Sequence, residues 1–65
     1  MLTSNVRKIM EERNVTIRAM GAKTGLSGET ITRARGQEII QCRLATLEII
    51  ATYLDCKIKD LFEED

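Results

Sequence analysis

Apolar residues along this chain recur at intervals of three and four, the spacing that puts side chains on one face of a helix. Leu2, Val6, Ile9 and Met10 follow that spacing, with Thr3 or Ser4 ahead of them as a cap, and predict a first helix over about residues 3–13. Asn14 tolerates the left-handed conformation that ends a helix, and Thr16 is a cap for the next one, over about 16–23. Ile17, Met20 and Gly21 are its expected inward residues. A glycine inside a helix costs up to about 1 kcal/mol relative to alanine, so Gly21 implies close approach by another helix. The run Thr24-Gly25-Leu26-Ser27 then breaks the pattern: Gly25 suits a positive φ, Leu26 turns an apolar group inward and Ser27 caps the next helix. That third helix is expected over about 27–35, with Ile31 and Ala34 inward and Gly28, Glu29, Thr32 and Arg33 on the opposite face.

Gly36 is a natural stop. Residues 37–42 read as a connection whose Ile39 and Ile40 either pack down or meet a partner. The strongest periodicity comes after it, in Leu44, Leu47, Ile50, Ala51 and Leu54, which predicts a fourth helix over 43–54, and Ile49 and Tyr53 widen its apolar face. Ile58, Leu61 and Phe62 suggest a last short helix within 57–63. No apolar segment alternates, so the expected fold class is all-α with no strand.

A length of 65 residues allows one hydrophobic core, and the chain is expected to form a single domain over residues 1–65. With 43% hydrophobic residues and no proline, it is too apolar for a disordered chain. No apolar run approaches the roughly 18 residues of a membrane span and no signal-peptide stretch opens the sequence, so no membrane partner and a cytoplasmic location are expected. Two cysteines and no histidine cannot supply a four-ligand zinc site, and no metal or other cofactor is expected. The same absence removes the usual general base and every Ser/His or Cys/His pair, which leaves an enzyme the least supported reading. Cys42 and Cys56 read as small buried hydrophobes that stay reduced.

Ten basic and ten acidic residues cancel in the whole chain, yet they are segregated. Residues 1–36 hold seven basic against three acidic side chains, and residues 37–65 hold three against seven. One basic face can thus meet a polyanion while the acidic end points away.

Two short helices joined by a glycine-containing turn in Thr16 to Arg35 match the helix-turn-helix pattern. The run from Thr16-Ile-Arg-Ala-Met-Gly-Ala to Thr32-Arg-Ala-Arg-Gly resembles the DNA-binding motif of the Cro and lambda-repressor-like (XRE) transcriptional regulators. Downstream, Arg43-Leu-Ala-Thr-Leu through Lys59-Asp-Leu-Phe is similar to that family's fourth and fifth helices. The resemblance covers nearly the whole chain and implies a compact five-helix bundle whose third helix enters the major groove, acting as a homodimer on a palindromic operator. Departures from the family pattern are Ile17, often Gln; Gly21, usually Ala; Gly28, commonly a longer polar residue; and Cys42-Arg43, where Pro-Ser is frequent.

Carried over residue by residue, the resemblance implies Glu29, Thr32 and Arg33 at base edges. Arg33 can donate twice to guanine, Glu29 can accept from cytosine, and the Thr32 methyl can touch thymine. Thr16, Arg18, Ser27, Gly28, Thr30, Arg35 and Arg43 are the candidates for the DNA backbone. A plain surface ion pair between Glu29 and Arg33 is the alternative for those two residues. The implied function is a sequence-specific repressor on double-stranded DNA, with no small-molecule ligand. The rival reading is an antitoxin-like or other protein-interaction module using the acidic half or the Ile39-Ile40 patch. The homodimer contacts expected are Ile39, Ile40, Ile49, Tyr53 and Phe62.

Overall fold

The helical pattern holds through the middle of the chain, but its two ends are extended and pair with each other. In the computed structural model, which describes residues 1–64, the order is β1 (Leu2–Ser4), α1 (Val6–Glu12), α2 (Ile17–Thr24), α3 (Gly28–Ala34), a 3₁₀ turn (Gln37–Gln41), α4 (Leu44–Tyr53), a second 3₁₀ turn (Ile58–Leu61) and β2 (Phe62–Glu64). The strands are antiparallel, with Leu2 opposite Glu64, Thr3 opposite Glu63 and Ser4 opposite Phe62. Among the described residues the all-α, five-helix expectation is therefore corrected to four α-helices, two 3₁₀ turns and a two-stranded sheet.

Hydrogen bonds explain both departures. The first helix lacks the turn expected over residues 3–5, because Asn5 donates its backbone N–H to the Leu61 carbonyl at 2.8 Å and its Nδ2 to the Phe62 carbonyl at 3.3 Å. Leu2 thus belongs to a strand and not to the α1 stripe. Ser4 still serves α1 from outside it: its Oγ accepts the Val6 N–H at 3.1 Å and donates to the Ala34 carbonyl at 2.5 Å. At the other end the Asp60 carboxylate accepts the Lys57 N–H at 3.0 Å and closes a single tight turn. Phe62 then leaves the helical region at φ −119° and ψ 150° to face Ser4.

Capping chemistry fixes the central helices where the sequence places it. Asn14 is left-handed at φ 57°, and the next N–H, that of Val15, returns to the Met10 carbonyl at 2.8 Å. The Thr16 hydroxyl accepts the Ala19 N–H at 3.0 Å, and the Ser27 hydroxyl accepts the Thr30 N–H at 3.1 Å. Gly25 ends α2 at φ 80° with its N–H on the Gly21 carbonyl at 2.9 Å. At Gly21 the crowding comes from the turn and not from a neighbouring helix. A Cβ there would stand 3.1 Å from the Leu26 carbonyl oxygen, with Ile31 Cδ1 at an ordinary 3.8 Å.

Gly25→Ala is expected to lower stability by about 1–2 kcal/mol, because a left-handed backbone brings Cβ against the following carbonyl even though no other atom crowds the site. For a domain of this size that corresponds to a fall in Tm of roughly 4–8 °C per kcal/mol. An unchanged melting curve would show that the turn can relax out of φ > 0.

The core joins Val6 and Met10 of α1, Met20 of α2, Ile31 and Ala34 of α3 and Leu47, Ile50 and Ala51 of α4, closed by Ile39, Leu54 and Leu61. No polar or charged side chain is buried among the described residues. Two expectations on apolar residues change. Leu44 opens α4 but is 71% exposed, so burial along that stripe starts one turn later. The 3₁₀ turn after Gly36 separates Ile39 from Ile40: Ile39 is fully buried, whereas Ile40 is 63% exposed. Ile39 therefore leaves the set of expected dimer contacts. Among the described residues no helix is long and apolar enough to cross a membrane.

Candidate nucleic-acid interface

Helix α3 is anchored by Ile31 and Ala34, both fully buried, and turns Gly28, Glu29, Thr32 and Arg33 outward, all exposed. An α-helix allows nothing else once its apolar pair is three residues apart and facing the core. Glu29 and Arg33 meet one turn apart as a close ion pair between Oε1 and Nη2, with side chains 72% and 53% exposed. An exposed pair at this spacing adds only about 0.3–0.5 kcal/mol. Its clearer effect is on orientation, because the Glu29 carboxylate draws the long Arg33 side chain back along the outer face.

Hydroxyl groups mark the start of both helices of the motif. Thr16 accepts from Ala19 N–H and so retains its own hydroxyl hydrogen for a further acceptor. Ser27 accepts the Thr30 N–H and donates to Thr30 Oγ1 at 2.9 Å, which leaves the Thr30 hydroxyl as the outward donor of that pair. Arg18 is exposed in the first turn of α2. Arg43 is exposed at the cap of α4, where no side chain accepts from the first backbone N–H groups.

Two grooves flank α3. On one side a groove of about 590 Å³ runs between Thr30 and Arg33 on α3 and Glu38, Gln41, Cys42, Arg43 and Thr46 beyond it. On the other, a smaller groove of about 240 Å³ is lined by Arg7, Thr32, Arg35 and Gly36. Gln41, Thr46 and Arg7 thus join the candidate surface without having been singled out from the sequence. Their signal lies in the tertiary placement of a 3₁₀ turn and of α1, which no local spacing encodes.

Both cysteines are free and half-buried. Burial pushes the Cys42 thiol above its ordinary value, with Arg33 pulling the other way and Glu38 adding to the rise. Burial likewise pushes Cys56 up, with Asp60 adding to it. Both therefore hold their protons more tightly than a solvated thiol, which lowers the thiolate fraction that reaction or metal binding needs.

A polar face opposite a buried apolar pair, on the second helix of a capped helix-turn-helix, is the geometry of a groove-reading element. A family model for the Cro/C1-type helix-turn-helix DNA-binding domain matches residues 5–64. The chain belongs to this family. As a Cro/C1-type domain it is a DNA-binding regulator, and the match takes in every element from Asn5, which clamps α1 to the second 3₁₀ turn, through β2. No curated protein and no solved structure matches the chain.

Proposed function

We propose that this Cro/C1-type domain is a cytoplasmic, sequence-specific transcriptional repressor that docks α3 in the major groove of operator DNA as a homodimer, with neither cofactor nor catalysis. The observation that carries the reading is the outward face of α3, where Glu29, Thr32 and Arg33 stand opposite the buried Ile31 and Ala34. A major groove about 12 Å wide admits a helix, and these three side chains offer the chemistry for guanine, cytosine and thymine edges. Thr16, Arg18, Ser27, Gly28, Thr30, Arg35 and Arg43 hold register on phosphates, Gly28 through its backbone alone. Operator occupancy then represses by excluding the transcription machinery from the same DNA.

The dimer would use Ile40, Ile49, Tyr53 and Phe62. Ile40 and Ile49 are exposed, and Tyr53 and Phe62 are half-buried. For the protein-interaction reading, the burial of Ile39 removes half of the Ile39-Ile40 patch and leaves the acidic half of the chain as its other surface.

Selection of bound duplexes from a random pool tests the function and the symmetry together. The expected result is an enriched pair of inverted half-sites with centres about 34–36 Å apart, one helical turn, or a multiple of that. Enrichment of a single half-site would remove the dimer but keep the reader. No enrichment over random sequence would overturn sequence-specific binding.

A further inference from the structure

In the groove between α1 and α3, Thr32 and Arg35 have roles in the docking proposed for α3, whereas Arg7 has none. Ser4 ties the start of α1 to the end of α3 through its hydrogen bond to the Ala34 carbonyl at 2.5 Å, and this sets the first turn of α1 beside the last turn of α3. Arg7 and Arg35 consequently line one groove with Thr32 and Gly36. Arg7 is 69% exposed along its side chain, and its Nε donates to Glu11 Oε2 at 3.3 Å, a long and solvated contact. That pair holds Arg7 loosely on the protein and leaves the other nitrogens of its guanidinium directed to solvent or to a ligand.

Around α3, Thr30 and Arg33 border one groove and Thr32 and Arg35 border the other, with Glu29 between them. A helix in a major groove lies between two sugar-phosphate strands, so each of its flanks faces a row of phosphates. Arg43 serves the first flank. We infer that Arg7 of α1 is a DNA-backbone contact on the second flank, acting with Arg35 to clamp the phosphate strand that runs beside Thr32. The inference rests on α3 being the reading helix and adds α1 to the interface. On binding, the Arg7 guanidinium exchanges its Glu11 partner for a phosphate oxygen, a stronger charge-assisted acceptor that also releases a condensed counterion.

The test measures binding to a duplex selected from the random pool and to a random-sequence duplex of equal length, over a series of KCl concentrations. Arg7→Gln is expected to reduce the slope of log affinity against log salt by about 0.9 per protomer, on both duplexes alike, with base preferences intact. Arg7→Lys should restore the slope, since a phosphate contact requires only the positive charge. Glu11→Gln should raise affinity on both duplexes by releasing Arg7. Lys8, the next residue of α1, does not line the groove, and Lys8→Gln should change the slope less than Arg7→Gln. If Arg7 serves only its own helix, Arg7→Gln and Glu11→Gln will lower the melting temperature together and leave the slope unchanged, which overturns the inference. Should Arg33→Ala relax the base preference while Arg7→Gln leaves the slope alone, only the α1 contact fails. Should neither variant affect binding, the placement of α3 fails with it.

Discussion

Ile50→Ala is expected to unfold most of the protein at physiological temperature. Ile50 is fully buried at the centre of α4, in a cluster fed by every helix of the fold. Truncating a buried isoleucine to alanine costs about 2–5 kcal/mol, through lost transfer energy and the cavity left behind. A single core in a chain this short supplies only about 3–5 kcal/mol in total, so one such cavity removes most of the margin. Circular dichroism melts should show either no cooperative transition or one displaced far downward. Ile50→Val, which removes a single methylene at about 0.5–1.5 kcal/mol, should still fold. A near-native melt for the alanine variant would mean that α1 and α2 close over the vacated space.

Arg33→Ala carries the largest expected effect on recognition. The guanidinium can form two hydrogen bonds to one guanine, so its loss should cost about 1–3 kcal/mol at the preferred site and relax the choice at one base pair. Random DNA should be affected far less. Arg18→Ala provides the contrast, since a backbone contact should weaken all sequences alike and reduce the salt slope by about one unit. Glu29→Ala distinguishes two roles for the ion pair on α3. If the carboxylate aims Arg33 or reads cytosine, specific affinity falls; if it only shields charge, non-specific affinity rises. The first outcome is expected, because a carboxylate facing phosphates is unfavourable unless it gains a base or an arginine. Equal losses on specific and random duplexes for Arg33→Ala would show that α3 is not the reading element.

The part of the molecule that was legible in the sequence is the part whose causes are local. Thr16, Gly25 and Ser27 each do in the fold what their chemistry dictates within three or four residues: one accepts an N–H, one takes a positive φ, one accepts again. Ile31 and Ala34 orient α3, and the exposure of Glu29, Thr32 and Arg33 results from them. The sheet was not legible, because a three-residue strand is too short to show alternation and its partner lies at the far end of the chain. Ile39 and Ile40 are equally apolar neighbours. Only the tightness of a 3₁₀ turn decides that one goes in and the other stays out. Arg7 carries no signal in its own helix. It reaches the flank of α3 because Ser4 bonds to Ala34, thirty residues away.

The pairing of β1 with β2 also predicts an order for the assembly of the fold. Contacts between α2 and α3 join residues close in sequence, so forming them closes only short loops, whereas Leu2 meets Glu64 across nearly the entire chain. Loop-closure entropy rises with the length enclosed, and contacts distant in sequence slow folding. The helix-turn-helix can therefore condense early around Met20 and Ile31, while the sheet closes last over a core already formed. Contact order thus separates two kinetic roles along the chain. The segment proposed to read DNA is thus expected in the early-forming part of the fold. The terminal strands are expected to open before global unfolding, which hydrogen exchange at Thr3 and Glu63 against that at Ile31 would check.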